Sequence, residues 1–218
     1  MTLRDVFANL QREGVLDEMS LGDISETACG ESSIRVFDGD SYKERKFRAA
    51  KSCDALLLIN DNTLVFVEMK RLAGRFSDIV RGYRQGYTEE QLRADPNVLE
   101  DLYCKAMGRF LQLLRADALP FKYVDSKTAI LVDMCRHHEA DDLVKRFVQR
   151  QLGESFVLLH DAGPGSTLSA YLSGVKEQLD KLFISKYNGR IKTVIPVHVL
   201  SCSEFDSKYG NNVETVSA

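Results

Sequence analysis

The 218-residue sequence contains no apolar run of transmembrane length and no signal peptide. This excludes a spanning helix and leads to the expectation of a cytoplasmic protein. The five cysteines, Cys29, Cys53, Cys104, Cys135 and Cys202, are odd in number and scattered, without zinc or redox spacing, so reduced thiols are expected. Excess positive charge is missing too. The formal net charge of −3 carries no global nucleic-acid signature, and any such surface must come from local clustering. There is no internal repeat, low-complexity tract or linker.

Several common catalytic signatures are also lacking. His137-His138-Glu139 does not have HExxH spacing, and adjacent histidines do not share a face, so the tripeptide reads as a loop or helix start. Gly163-Pro164-Gly165-Ser166-Thr167 lacks a Walker lysine and the full glycine spacing, and reads as a turn with a helix cap. No Gly-x-Ser-x-Gly elbow or Cys/His pairing stands out.

What is present is an ordinary globular composition, 44% hydrophobic and 28% charged, at a length that suits one α/β domain. Its organising stretch is Cys53–Arg71, CDALLLINDNTLVFVEMKR. Two apolar runs, Ala55–Ile59 and Leu64–Val67, flank Asn60-Asp61-Asn62 and predict a β-hairpin whose strands are buried on both faces. Asp54 stands at the open end of one strand, Glu68 and Lys70 at the same end of the other.

Side chains alternate along a strand, so Glu68 and Lys70 share a face and Met69 points away. Pairing Ile59 with Thr63 across a three-residue loop, and stepping outward five residues on each side, sets Asp54 opposite Glu68. A slip of one residue would separate the carboxylates. Two facing carboxylates repel, and burying either without a counter-charge is costly. A hard divalent cation resolves the conflict, because Mg²⁺ binds through one or two carboxylates plus water. A neighbouring lysine can then orient a metal-activated water or stabilise charge on a phosphate. Those parts suit phosphodiester hydrolysis. The alternative for such an acid-x-Lys tripeptide is a solvated pair on a sheet edge.

Asp54 followed by Glu68-Met69-Lys70 after a hydrophobic hairpin resembles the PD-(D/E)XK nuclease superfamily, which includes restriction endonucleases, Holliday-junction resolvases and defence-system nucleases. The resemblance implies a restriction-endonuclease-like core. It implies Asp54, Glu68 and Lys70 as catalytic residues, with Asp54, Glu68 and the Met69 carbonyl as ligands of Mg²⁺ or Mn²⁺. Cys53 stands where the motif has its nominal proline. An upstream acid often adds a ligand in this family. Glu31 is the candidate, with Glu26, Asp38 and Asp40 competing. The helix after the lysine strand packs beside the active site in the family, which makes Arg71, Arg75, Arg81, Arg84 and Gln85 candidates for nucleic-acid contact. Ordinary exposed helix charge is the competing reading for each of them.

Elsewhere, residues 2–13 predict an amphipathic helix with Leu3, Val6, Phe7 and Leu10 on one face, capped by Thr2 and ended by Gly14. Ser32–Asp38 predicts a strand, Gly39-Asp40-Ser41 a turn, and the basic run Tyr42–Arg48 a loop, a strand edge or a nucleic-acid-facing segment. Ser77 is the expected N-cap of a helix from Asp78 to about Arg93, followed by a helix over about Val98–Leu114. Lys127–Met134 reads as a buried strand, Asp141–Leu152 as an amphipathic helix and Ser155–His160 as a strand. A helix over about Leu168–Ile184, capped by Ser166 or Thr167, and a strand over Thr193–Leu200 complete the order.

The expectation is therefore a single α/β domain, a central mixed β-sheet flanked by helices. A nuclease-like core spans about 1–135, an α/β extension about 136–203 and a polar, frayed tail 204–218. The expected activity is metal-dependent cleavage of nucleic acid, most readily DNA, with specificity from a homodimer, a partner protein or substrate shape. A defence or mobile-element role follows only from the company the family keeps. Two other classes stay open: a catalytically silent binding or assembly protein, and a metal-dependent phosphoesterase acting on nucleotides.

Overall fold

Thr2 Oγ1 accepts a hydrogen bond from the Asp5 N–H while the Asp5 carboxylate accepts from the Thr2 N–H, a capping box that starts α1 (Leu3–Arg12). A computed structural model describes the chain at residues 1–24, 29–48, 50–163, 165–184 and 195–210. After α1 come β1 (Glu18–Ser20), α2 (Leu21–Ile24), β2 (Arg35–Asp38), α3 (Gly39–Lys46) and the hairpin β3 (Ala55–Ile59) and β4 (Thr63–Lys70). The helices α4 (Leu72–Arg84), α5 (Glu89–Ala94), α6 (Pro96–Ala116), α7 (Leu119–Met134) and α8 (Asp141–Val148) follow. Then come β5 (Gly153–His160), α9 (Leu172–Ile184), β6 (Val197–Ser201) and α10 (Cys202–Tyr209).

The six strands form one mixed sheet in the order β1-β2-β3-β4-β5-β6. β1 to β4 pair antiparallel with one another, whereas β4, β5 and β6 run parallel. The hairpin takes the expected register, Ile59 with Thr63 through Ala55 with Val67, so Asp54 continues opposite Glu68. Asn60, at φ 49°, supplies the left-handed turn residue. Strand alternation sends Leu56, Leu64, Phe66, Phe156 and Leu158 into one core shared with α1, α4, α6, α7, α8 and α9. Leu57, Val65, Val67, Val157 and Leu159 enter a second core, closed by α2 and α10. Glu68 and Lys70 continue the Leu64–Phe66 series and so face the layer that holds α7.

Several elements differ from the sequence expectations. Gly39-Asp40-Ser41 opens α3 instead of a turn, because the Asp38 carboxylate accepts from the Asp40 and Ser41 N–H groups and caps a helix there. The basic run is thus helical as far as Lys46, with Tyr42 buried and Arg45 ion-paired to Asp17. Ser77 caps nothing. α4 starts at Leu72, directly after the lysine strand, and its Ala73 N–H donates to Asp161 Oδ1 at the end of β5. The second half of the expected helix is a separate α5, started by a Thr88–Gln91 capping box.

Lys127–Met134 is the C-terminal half of α7, not a strand. Tyr123, Ser126, Ala129, Ile130, Asp133 and Met134 are buried at helical spacing, so a helix packed by one face mimics an apolar run. The helix expected from Leu168 begins at Leu172, after a 3₁₀ turn at Ser169–Tyr171. The last strand is Val197–Ser201, and its expected start at Thr193 lies outside the described residues.

Residues 204–209 are not a frayed tail. They belong to α10, begun by a Ser201–Glu204 capping box and anchored by buried Phe205 and Tyr209. Cys29 and Cys202 form a disulfide across 173 residues, against the expectation of reduced thiols throughout. Spacing carries no trace of a pair so distant, and Cys53, Cys104 and Cys135 remain free. Among the described residues no helix is long and apolar enough to cross a membrane.

Candidate active site

Gly39 places the first carboxylate. Its N–H donates to the Asp54 carbonyl at 3.0 Å, and a Cβ on Gly39 would lie 2.0 Å from the Cys53 carbonyl oxygen. Only glycine lets the start of α3 press against this backbone. On the other side the Cys53 N–H donates to Ser126 Oγ of α7 at 2.9 Å. A proline at residue 53 would lack that donor. The Asp54 side chain is fixed in turn, Oδ2 accepting from the Met69 N–H at 2.7 Å.

Glu68 is fully buried. Its Oε1 receives two ammonium groups, Lys70 Nζ at 2.8 Å and Lys122 Nζ at 2.6 Å, while Oε2 is buried with no hydrogen-bond partner among the described residues. Lys122 also lies 3.6 Å from Asp54 Oδ1. The fold thus brings Asp54, Glu68 and Lys70 together at one end of the sheet, and adds a second lysine that sequence reasoning missed. Lys122 stands 54 residues beyond Glu68, in a stretch with no motif around it. It is placed by α7, whose Tyr123 ring stacks edge-on against Phe66 of β4 at 4.8 Å.

Burial pushes the Glu68 carboxyl up to a pKa of about 7, and the Asp54 charge adds to the rise; the two lysines only moderate it. Burial likewise raises Asp54, with a small addition from Asp40, against the downward pull of Lys122, the Met69 N–H and Lys70. For Lys122 burial acts to lower the pKa, but Glu68 and then Asp54 outweigh it and hold the ammonium above its ordinary value.

The other expected ligands are not drawn in. Glu31 is exposed, and the described residues contain no group of three or more His, Cys, Asp or Glu side chains arranged to hold a metal. Glu26 lies outside the described residues. Asp38 is spent as the α3 cap, while Asp40, which accepts from Ser52 Oγ, is the upstream acid whose charge reaches Asp54. The two carboxylates, with Glu68 Oε2 unpartnered, are hard oxygen donors of the kind that a divalent cation takes when water or substrate supplies the rest of its shell.

The arginines spread along α4. Arg71 directly follows Lys70, and Arg75 bonds Asp117 at 2.8 Å. Arg81 pairs with Asp78 and Arg84 with Glu89, and Gln85 is the exposed C-cap. At 1.5 Å per residue, Arg81 and Arg84 lie about 15 and 20 Å along the helix from Arg71. Comparison with known proteins finds no matching family model, no matching curated protein and no matching solved structure.

Proposed function

We propose that the chain is a metal-dependent nuclease of the PD-(D/E)XK type, built on a restriction-endonuclease-like core and acting on DNA. The observation that supports this most is the convergence of Asp54, buried Glu68 and Lys70 at the open end of one hairpin, with a Glu68 oxygen left unpartnered inside an otherwise satisfied site. A fold gains no stability from two facing carboxylates, so their placement points to a ligand.

In this reading Asp54 and Glu68 hold Mg²⁺ or Mn²⁺, with the Met69 carbonyl available as a further ligand. When bound, the ion polarises the phosphoryl group and lowers the pKa of water. Asp54 is held in position by the Met69 N–H. Lys70, as an ammonium, donates hydrogen bonds to the attacking water or to the phosphate oxygens that gain charge. Attack forms a bond from water oxygen to phosphorus and breaks the bond to the leaving sugar oxygen; the proton that the water loses passes to solvent, and the leaving oxygen takes one up. In the same reading Arg71 and Arg75, at the start of α4, contact the nucleic-acid backbone nearest the site, whereas Arg81, Arg84 and Gln85 serve a substrate that extends along α4.

One observation favours a second reading, a nuclease-like protein that binds without cutting: the two carboxylates are matched by two lysines, so the site is formally neutral without metal. Cleavage separates the two. Single-stranded, double-stranded and branched DNA and RNA are incubated with Mg²⁺, Mn²⁺ or EDTA and wild type, Lys70→Ala or Asp54→Ala. Metal-dependent cutting lost in both variants is the expected result. DNA binding that ignores metal, without cutting by folded wild type, would move the assignment to the binding protein. Competition by mononucleotides but not by polymer would move it to a nucleotide phosphoesterase.

A further inference from the structure

Among the described residues, Lys122 is the one cation within ion-pair distance of both carboxylates, 2.6 Å from Glu68 Oε1 and 3.6 Å from Asp54 Oδ1; Lys70 reaches only Glu68 at that range. Lys122 comes from the first turn and a half of α7, where the helix dipole disfavours a positive charge. The carboxylates are therefore what hold it there. Its side chain is 20% exposed, against none for Glu68, so a four-carbon stem can carry the ammonium out to solvent without unpacking the core.

The geometry points to Lys122 as a resident counter-cation that occupies the bridge between Asp54 and Glu68, and that a divalent ion must displace to bind there. The inference rests on Asp54 and Glu68 being the metal-holding pair. An ammonium and a dication repel, and neither can share the space between two carboxylates with the other. Together with Lys70, Lys122 balances the charge of the metal-free pair, and it weakens metal binding by competing for the same two carboxylates. Lys70, bound to one carboxylate alone, does not block the bridge and stays beside the ion. Lys122 is accordingly a positioning residue.

Binding of MgCl₂ and MnCl₂ is measured by calorimetry on folded wild type, Lys122→Met, Lys122→Arg and Asp54→Asn. Lys122→Met is expected to bind the ion at least tenfold more tightly than wild type, Lys122→Arg to remain as weak as wild type, and addition of Asp54→Asn to abolish the gain. A purely structural lysine would lower affinity when removed. If Lys122→Met binds no more tightly than wild type while Asp54→Asn abolishes wild-type binding, the displacement idea falls and the metal site stands. If no folded variant binds a divalent ion, the metal-site reading falls and this inference with it.

Wild type offers a second measurement should Lys122→Met fail to fold. Acetylation of Lys122, read by mass spectrometry against exposed Lys181, is expected to rise when MgCl₂ is added and to be indifferent to MgCl₂ in Asp54→Asn. Labelling of wild type that stays level or falls with MgCl₂ would overturn the displacement.

Discussion

Ser126 Oγ, on α7, accepts a 2.9 Å hydrogen bond from the Cys53 N–H, one residue before Asp54, and both residues are buried. Lys122 sits one turn earlier on the same face of α7. One helix thus holds both the backbone that presents Asp54 and the ammonium between the carboxylates. Ser126→Ala leaves the Cys53 N–H buried and unpaired, a loss of about 1–3 kcal/mol. Urea denaturation is expected to show the midpoint falling accordingly; an unmoved midpoint would mean that the bond does not hold this backbone.

The pH dependence of stability has a defined sign. The Glu68 carboxyl titrates at about 7 in the folded protein, against 4.5 for an ordinary glutamate. Between those values the native state keeps a proton that the unfolded chain has released, so stability falls as pH rises through the window and levels off above it. The full effect is on the order of 3 kcal/mol. Urea midpoints from pH 4.5 to 8 should show this slope in wild type and a flatter profile in Glu68→Gln. Equal slopes would place the responsible proton elsewhere.

Gly39→Ala tests the close approach of α3 to the hairpin. A Cβ 2.0 Å from the Cys53 carbonyl oxygen forces one backbone to move, so the expected loss is roughly 1–3 kcal/mol, the size of other overpacking changes. Because the Gly39 N–H is bonded to the Asp54 carbonyl, divalent-ion affinity should fall as well. Stability lost with metal affinity untouched would separate the packing role from the site.

The arginines of α4 divide by distance. Arg71→Ala and Arg75→Ala are expected to weaken binding of a short duplex and to reduce its salt dependence by about one counterion each. Arg81→Ala and Arg84→Ala, about 15 and 20 Å along the helix from Arg71, should do so only for longer substrates. Fluorescence anisotropy with short and long duplexes over a salt series checks this, and equal losses on the short duplex would remove the distinction.

Some of this was local enough to read from the chain. The hairpin and its register follow from an apolar run on each side of Asn60-Asp61-Asn62, since a one-residue slip would turn both strands inside out. That register alone sets Asp54 opposite Glu68, with Lys70 on the same face. The first helix was equally legible, because its cap and its four buried residues all lie within twelve positions.

Other elements were fixed by contacts far apart in the chain. α4 begins at Leu72 because Asp161, 88 residues from Ala73, caps it, so the local Ser77 had no part in the boundary. α7 looked like a strand because its buried face packs a short apolar segment whose period is ambiguous by itself. α10 did carry a local sign, Ser201 and Glu204 at capping-box spacing, but its helix is held by Phe205 and Tyr209 against the far side of the sheet.

The sequence by itself determined the two carboxylates and Lys70, because strand pairing and side-chain alternation are local rules. Only the tertiary structure decided that Lys122 stands between those carboxylates and that Ser126 holds the backbone before them. Both depend on packing a helix against a hairpin more than 50 residues away, and contacts of that range leave no period or spacing in the chain.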